Sequence, residues 1–204
     1  MVDYSGMIYR KKWDPTYSFV DEQILIDGVS DNLTEIIHSA WNDTLRNVSP
    51  EPSNQWQSSA KKFVKKLRKN LPFAGVHGIS SFGRNEYLLE RSQKHYLRNF
   101  GDEPIPLTTL GRNKMINCIG QALSVKMALA ELADWELYNC TQDSFIGTHG
   151  VLSLVSDDCA LVLDPVSANS TGIHPSKNFR MDYVLSEGKT LLIPGEEPSF
   201  GFFG

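Results

Sequence analysis

Apolar residues recur at helical spacing from Ser30 onward, at Leu33, Ile36, Ile37, Ala40, Trp41 and Leu45. Positions three and four apart share one helix face, so this predicts an amphipathic helix reaching about Asn47. Ser30-Asp31 supplies its N-cap. Ser49-Pro50-Glu51-Pro52-Ser53 then breaks the pattern. A second helix is expected over Asn54 to Asn70, burying Trp56, Ala60, Phe63, Val64 and Leu67 and stopping before Pro72. A third, about Asn85 to Asn99, carries Tyr87, Leu88, Leu89, Tyr96 and Leu97. Ahead of the helices, Met1 to Gly28 is mixed, with one short strand at Gln23 to Ile26.

The pattern changes character at Asn117. Ile119, Ala122, Leu123, Met127, Leu129, Ala130 and Leu132 mark a helix apolar on most sides, expected at the centre of the core. Short strands follow at about Trp135 to Asn139, Gly150 to Val155, Ala160 to Leu163, Tyr183 to Leu185 and Thr190 to Ile193. Ser156-Asp157-Asp158 reads as the hairpin turn between the second and third of these. Helices first and an antiparallel meander afterwards describe an α+β fold rather than an alternating one. The expectation is a single domain over 1–204: a mainly helical portion, 1–110, packed on 111–204, which holds the central helix and the antiparallel sheet.

Composition narrows the function classes. A chain of 204 residues suffices for one domain with a substantial core. A net charge of −4 gives no reason to expect nucleic-acid binding. No apolar run reaches about 18 residues, so no membrane span is expected. Met1 to Asp14 lacks the apolar segment of a secretory signal. Three cysteines, Cys118, Cys140 and Cys159, are an odd count with no Cys-x-x-Cys spacing, which suits neither a disulfide framework nor structural zinc. A cytoplasmic protein is expected, or one delivered into a host cell without a signal peptide. The charge is uneven: Lys61, Lys62, Lys65, Lys66, Arg68 and Lys69 crowd the second helix. They read as a solvated face or as a docking surface for an acidic partner or lipid head groups.

Candidate chemistry lies in three short segments: Asn117-Cys118 opening the apolar helix, Thr148-His149-Gly150 entering a strand, and Leu163-Asp164-Pro165 closing the next. A thiol becomes a strong nucleophile once an imidazole takes its proton, and a carboxylate on the far ring nitrogen fixes the tautomer. A helix N-terminus further favours the thiolate. Gly147 and Gly150 permit close backbone approach. If Ser156 faces Asp158 across the turn, His149 falls opposite a position near Pro165, with Asp164 within about one residue of it. Each residue also has an ordinary reading: Cys118 as a small core residue, His149 as a structural histidine, Asp164 as a turn cap. His77 is the best alternative base; His38, His95 and His174 read as structural or exposed.

The order of Cys at a helix start, then His and Asp on successive strands, resembles the transglutaminase-like branch of the papain-like cysteine enzymes. The resemblance covers about Gly111 to Ile193 and rests on Asn117-Cys118, Thr148-His149-Gly150-Val151 and Leu163-Asp164-Pro165. The interval from His149 to Asp164 is similar to that in deamidase effectors and arylamine N-acetyltransferases. The chain departs from the family in lacking the Gly-x-Cys-Trp of classical transglutaminases and the Arg-Gly-Gly-x-Cys of the acetyltransferases. No glutamine just precedes Cys118, Gln93 being far off in sequence, and 1–100 lies outside the resemblance. The resemblance implies a papain-like core and a catalytic triad of Cys118, His149 and Asp164, with no metal or organic cofactor. It implies acyl chemistry on an amide, foremost protein-glutamine deamidation or transamidation of the toxin or effector type. A cysteine protease, or an acyltransferase taking its acyl group from a carrier thioester, is the nearest alternative. A non-catalytic partner-binding domain is the alternative of another class.

Overall fold

Ser30 occupies the N-cap position of helix α1 (Asp31–Thr44) with extended backbone, though its side chain makes no capping bond. Its carbonyl instead accepts both the amide and the hydroxyl of Thr34, at 3.0 and 3.3 Å. Asp31 sits in the first turn, where the helix dipole favours a carboxylate. Leu33, Ile37, Ala40 and Trp41 are the buried face. Helix α2 (Asn54–Asn70) is capped by Ser53, whose Oγ accepts the Trp56 amide at 3.1 Å. It buries the five residues that the periodicity selects: Trp56, Ala60, Phe63, Val64 and Leu67.

In this computed structural model the described residues are 6, 8–11, 22–70, 103–112, 116, 118–130, 132, 133, 135, 137–144, 147–176, 180, 181, 184–186 and 189–191. At 10, 11, 22, 138–144, 147–149 and from 180 onward the description is of backbone alone. The expected third helix, Asn85 to Asn99, lies outside the described residues, as do His77, Gln93 and His95.

The molecule mixes helix and sheet in an α+β arrangement. Two further helices are α3 (Leu107–Arg112) and α4 (Cys118–Leu129). The strands are β1 (Ile8–Lys11), β2 (Glu22–Leu25), β3 (Ile105–Pro106), β4 (Tyr138–Ser144), β5 (Gly147–Val155), β6 (Cys159–Leu163), β7 (Gly172–Pro175), β8 (Arg180–Met181), β9 (Val184–Ser186) and β10 (Lys189–Leu191). They form two five-stranded sheets, ordered β10-β9-β1-β2-β3 and β7-β6-β5-β4-β8. Every pairing is antiparallel except that of β2 with β3. The single meander expected from sequence is therefore divided. Strands β9 and β10 leave it to pair with the N-terminal β1, where Ile8 lies opposite Leu185. Among the described residues before 110 there are three strands, β1, β2 and β3, where one was expected.

Helix α4 is the hub. Eleven of its twelve residues are buried, the polar Gln121, Ser124 and Lys126 among them, so it is enclosed on nearly all sides, as a helix apolar on most sides requires. It packs on β5 and on α1, and α1 packs on α2. His38 of α1 is tied to α4 through Nε2, 2.7 Å from the Ala128 carbonyl, a structural role of the kind expected for it. Beneath the helices, Trp41 meets Trp135 at 5.6 Å and Phe63 at 6.3 Å, and Trp56 meets Trp135 at 6.4 Å between ring centroids. These rings anchor the helical layer, since aromatic pairs add to the stabilisation from buried area.

Candidate functional site

Cys118 is the first residue of α4 and is 8% exposed. It belongs to no disulfide, and neither does Cys159. The positive end of the α4 dipole lies at this turn, which favours negative charge on the sulfur.

Strand β5 reaches that turn through Gly150. A Cβ built on Gly150 would stand 2.8 Å from Ile119 Cγ1, 3.1 Å from its Cα and 3.4 Å from its N. A real side chain there has no space, so the close approach depends on glycine at 150. The residue after Cys118 thus touches the residue after His149, across some thirty intervening residues. His149 itself is described as backbone of β5, paired with Gln142 of β4.

The hairpin register corrects the expected one. Ser156 N donates to the Cys159 carbonyl at 2.8 Å, so Ser156 and Cys159 close a turn with only Asp157 and Asp158 at its tip. The paired residues run from Val155 opposite Ala160 to Leu152 opposite Leu163. The pairing ends there, and the chain turns after Leu163, with Ser167 N donating to the Asp164 carbonyl at 3.1 Å. One step past the last pair the register sets Asp164 opposite Val151, and the place opposite position 149 falls within that turn. Asp164 is therefore not within one residue of a cross-strand partner of His149, as the expected register had it. The shift also changes faces: Asp164 follows β6 on the face of Val151, which positions 149 and 153 share. Gly150, Leu152 and Leu163 occupy the other face, against α4, while Val151, Ala160 and Val162 form a small separate cluster. Position 149 shares the face of Val151, the side of the hairpin turned from α4.

Asp164 is fully buried. Its Oδ1 accepts the amides of Val166 and Ser167 at 3.0 and 3.1 Å. Its own amide donates to Thr171 Oγ1 at 3.1 Å, and that hydroxyl is 3.0 Å from the Ser167 carbonyl. The carboxylate is a turn cap, as the ordinary reading holds, and the 164–171 loop fixes its position from both ends. Thr171, 1% exposed, is the residue that sequence reasoning missed here. Its only signal was a hydroxyl seven residues past the aspartate.

Gln121, one turn along α4 from Cys118, was also missed. It is completely buried, and its Nε2 donates to the Ile116 carbonyl at 3.3 Å. The amide thus holds the segment that enters the helix, while Oε1 is buried without a hydrogen-bond partner among the described residues. Of the remaining candidates, His174 bonds the Ser170 carbonyl at 2.9 Å and Cys159 Sγ lies 3.3 Å from Ser156 Oγ. Among the described residues no group of three His, Cys, Asp or Glu is placed to hold a metal ion. No helix among them is long and apolar enough to cross a membrane.

None of the protein-family models, curated proteins or solved structures compared with the chain matches it.

Proposed function

We propose that this protein is a cysteine-nucleophile enzyme with a papain-like core. It acts on the side-chain amide of protein glutamine through Cys118, His149 and Asp164. The observation that carries the reading is the contact of Gly150 with Ile119, which sets the thiol-bearing helix start beside the end of β5 that carries His149. The buried, doubly bonded carboxylate of Asp164, on the 149 face of the hairpin, supports it.

In this mechanism His149 takes the proton of Cys118, and the thiolate adds to the carboxamide carbon. The carbonyl π electrons move to oxygen, whose negative charge the start of α4 favours. On collapse the C–N bond breaks, His149 gives its proton to the departing ammonia, and a thioester remains. Water, deprotonated by His149, adds to the thioester carbon and displaces the thiolate, leaving glutamate. An amine in place of water gives transamidation, and an incoming carrier thioester would make the same site an acyltransferase. A reducing cytoplasm, of the producing cell or of a host, suits a thiol nucleophile.

Asp164 favours a second reading, because a turn-capping aspartate needs no catalytic partner. There Cys118 is a core residue and the protein binds a partner without chemistry. Labelling with iodoacetamide near neutral pH, read at each cysteine by mass spectrometry, separates the two. An activated Cys118 reacts at least about tenfold faster than Cys140 and Cys159 despite its burial. Equal, slow labelling of all three supports the binding domain.

A further inference from the structure

Helix α2 is a basic segment in an acidic chain. Its 17 residues carry Lys61, Lys62, Lys65, Lys66, Arg68 and Lys69 and no carboxylate. The whole chain has a net charge of −4, so six cations on α2 leave −10 for the rest. The apolar side of the helix is closed inside the protein, with Trp56, Ala60, Phe63, Val64 and Leu67 each at 0% exposure. On the side diametrically opposite, Lys62, Lys65 and Lys69 follow the i, i+3, i+7 spacing of one exposed stripe about 10 Å long. Arg68 is exposed on its flank. Lys66 is engaged by Asp43 of α1, whereas Lys62, Lys65, Arg68 and Lys69 join no ion pair among the described residues.

We propose that this stripe docks an acidic segment of a partner protein. Like charges fixed along a rigid helix repel one another, and a carboxylate-bearing segment lying along them relieves that repulsion. Shape distinguishes this partner from an anionic bilayer. An interfacial helix anchors through its apolar face, and in α2 that face is sealed in the core. A bilayer is also a plane, which would bring more of the chain, with its net −10 outside α2, toward anionic head groups. A single segment meets the stripe and little else. The inference is independent of the thiol chemistry, because it is read by binding alone.

The test uses the full chain, a fluorescein-labelled poly-glutamate peptide followed by anisotropy, and phosphatidylcholine vesicles containing phosphatidylserine followed by co-sedimentation. Two charge-matched variants are compared, Lys65→Glu on the stripe and Arg112→Glu at the end of α3. Both positions are exposed, and circular dichroism checks that both variants fold. The wild type is expected to bind the peptide, more weakly as salt rises. The stripe variant should lose about tenfold or more in affinity and the other less than about threefold. Equal losses in both variants would reduce the effect to net charge and overturn the assignment. So would absence of peptide binding at low salt, or tighter stripe-dependent binding to the vesicles than to the peptide.

Discussion

Gly150 and Ile119 meet with no room for a side chain between them: a Cβ on Gly150 would stand 2.8 Å from Ile119 Cγ1 and 3.1 Å from Ile119 Cα. Gly150→Ala must therefore push β5 away from α4 or displace the first turn of the helix. Overpacking of this kind costs about 1–3 kcal/mol, which urea denaturation would show as a lower midpoint at unchanged slope. Ile119→Ala in the same chain removes the nearer contact but leaves the backbone one. Ile119→Ala has its own cavity cost, so the cycle is read against that variant: adding Gly150→Ala to it should cost less than in the wild type but not nothing, and no added cost would mean that backbone contact is unimportant.

Asp164 offers a separation of structural from chemical roles. Its buried Oδ1 accepts the amide of the buried Val166 and that of the half-buried Ser167. Asp164→Ala leaves those donors unpaired and should cost about 2–4 kcal/mol, since a buried unsatisfied group costs about 1–3 kcal/mol. Asp164→Asn keeps an acceptor oxygen at that place and should cost less than half as much. If Asp164 also orients His149, the asparagine variant loses Cys118 reactivity while keeping most of its stability. Reactivity that follows stability across the two variants would confine Asp164 to the turn.

Gln121 predicts a near-neutral core substitution. Its Nε2 bond is long, at 3.3 Å, and its Oε1 has no partner among the described residues. Gln121→Leu exchanges one weak hydrogen bond and one orphaned oxygen for an apolar group of similar size. Stability should change by less than about 1 kcal/mol in either direction, as judged by urea midpoints. A loss of several kcal/mol would show that Oε1 is engaged in solution.

His38 ties α1 to α4 through the Ala128 carbonyl at 2.7 Å. His38→Phe keeps a ring but removes the donor, and should cost about 1–2 kcal/mol. Hydrogen exchange should quicken in the C-terminal turn of α4 before it does in β5 and β6. Uniform quickening would argue that the bond holds the whole core rather than this junction.

The helical layer was the most legible part of the chain. Trp56, Ala60, Phe63, Val64 and Leu67 are the buried face that their spacing indicates, because a 3.6-residue period is set locally. Apolar residues on most sides of α4 likewise implied a central helix. Strand pairing was harder, because it joins distant segments. Nothing in Ile8 to Lys11 announces that it will lie beside Val184 and Leu185. The register of the β5–β6 hairpin was misjudged by one residue. Ser156 could equally be read inside the turn or as its last paired residue, and its bonds to Cys159 decide for the latter. Gly150 was recognised as a place of close approach, but its partner, Ile119, follows only from the fold.

The pH dependence of Cys118 alkylation in the wild type and in His149→Ala tests the central claim most directly. An activated pair predicts labelling of Cys118 with an apparent pKa well below about 8.5, the ordinary thiol value, and loss of that behaviour in the variant. A Cys118 that is inert in both proteins, or that labels identically in both, would contradict the thiol–imidazole pair and the enzyme reading built on it.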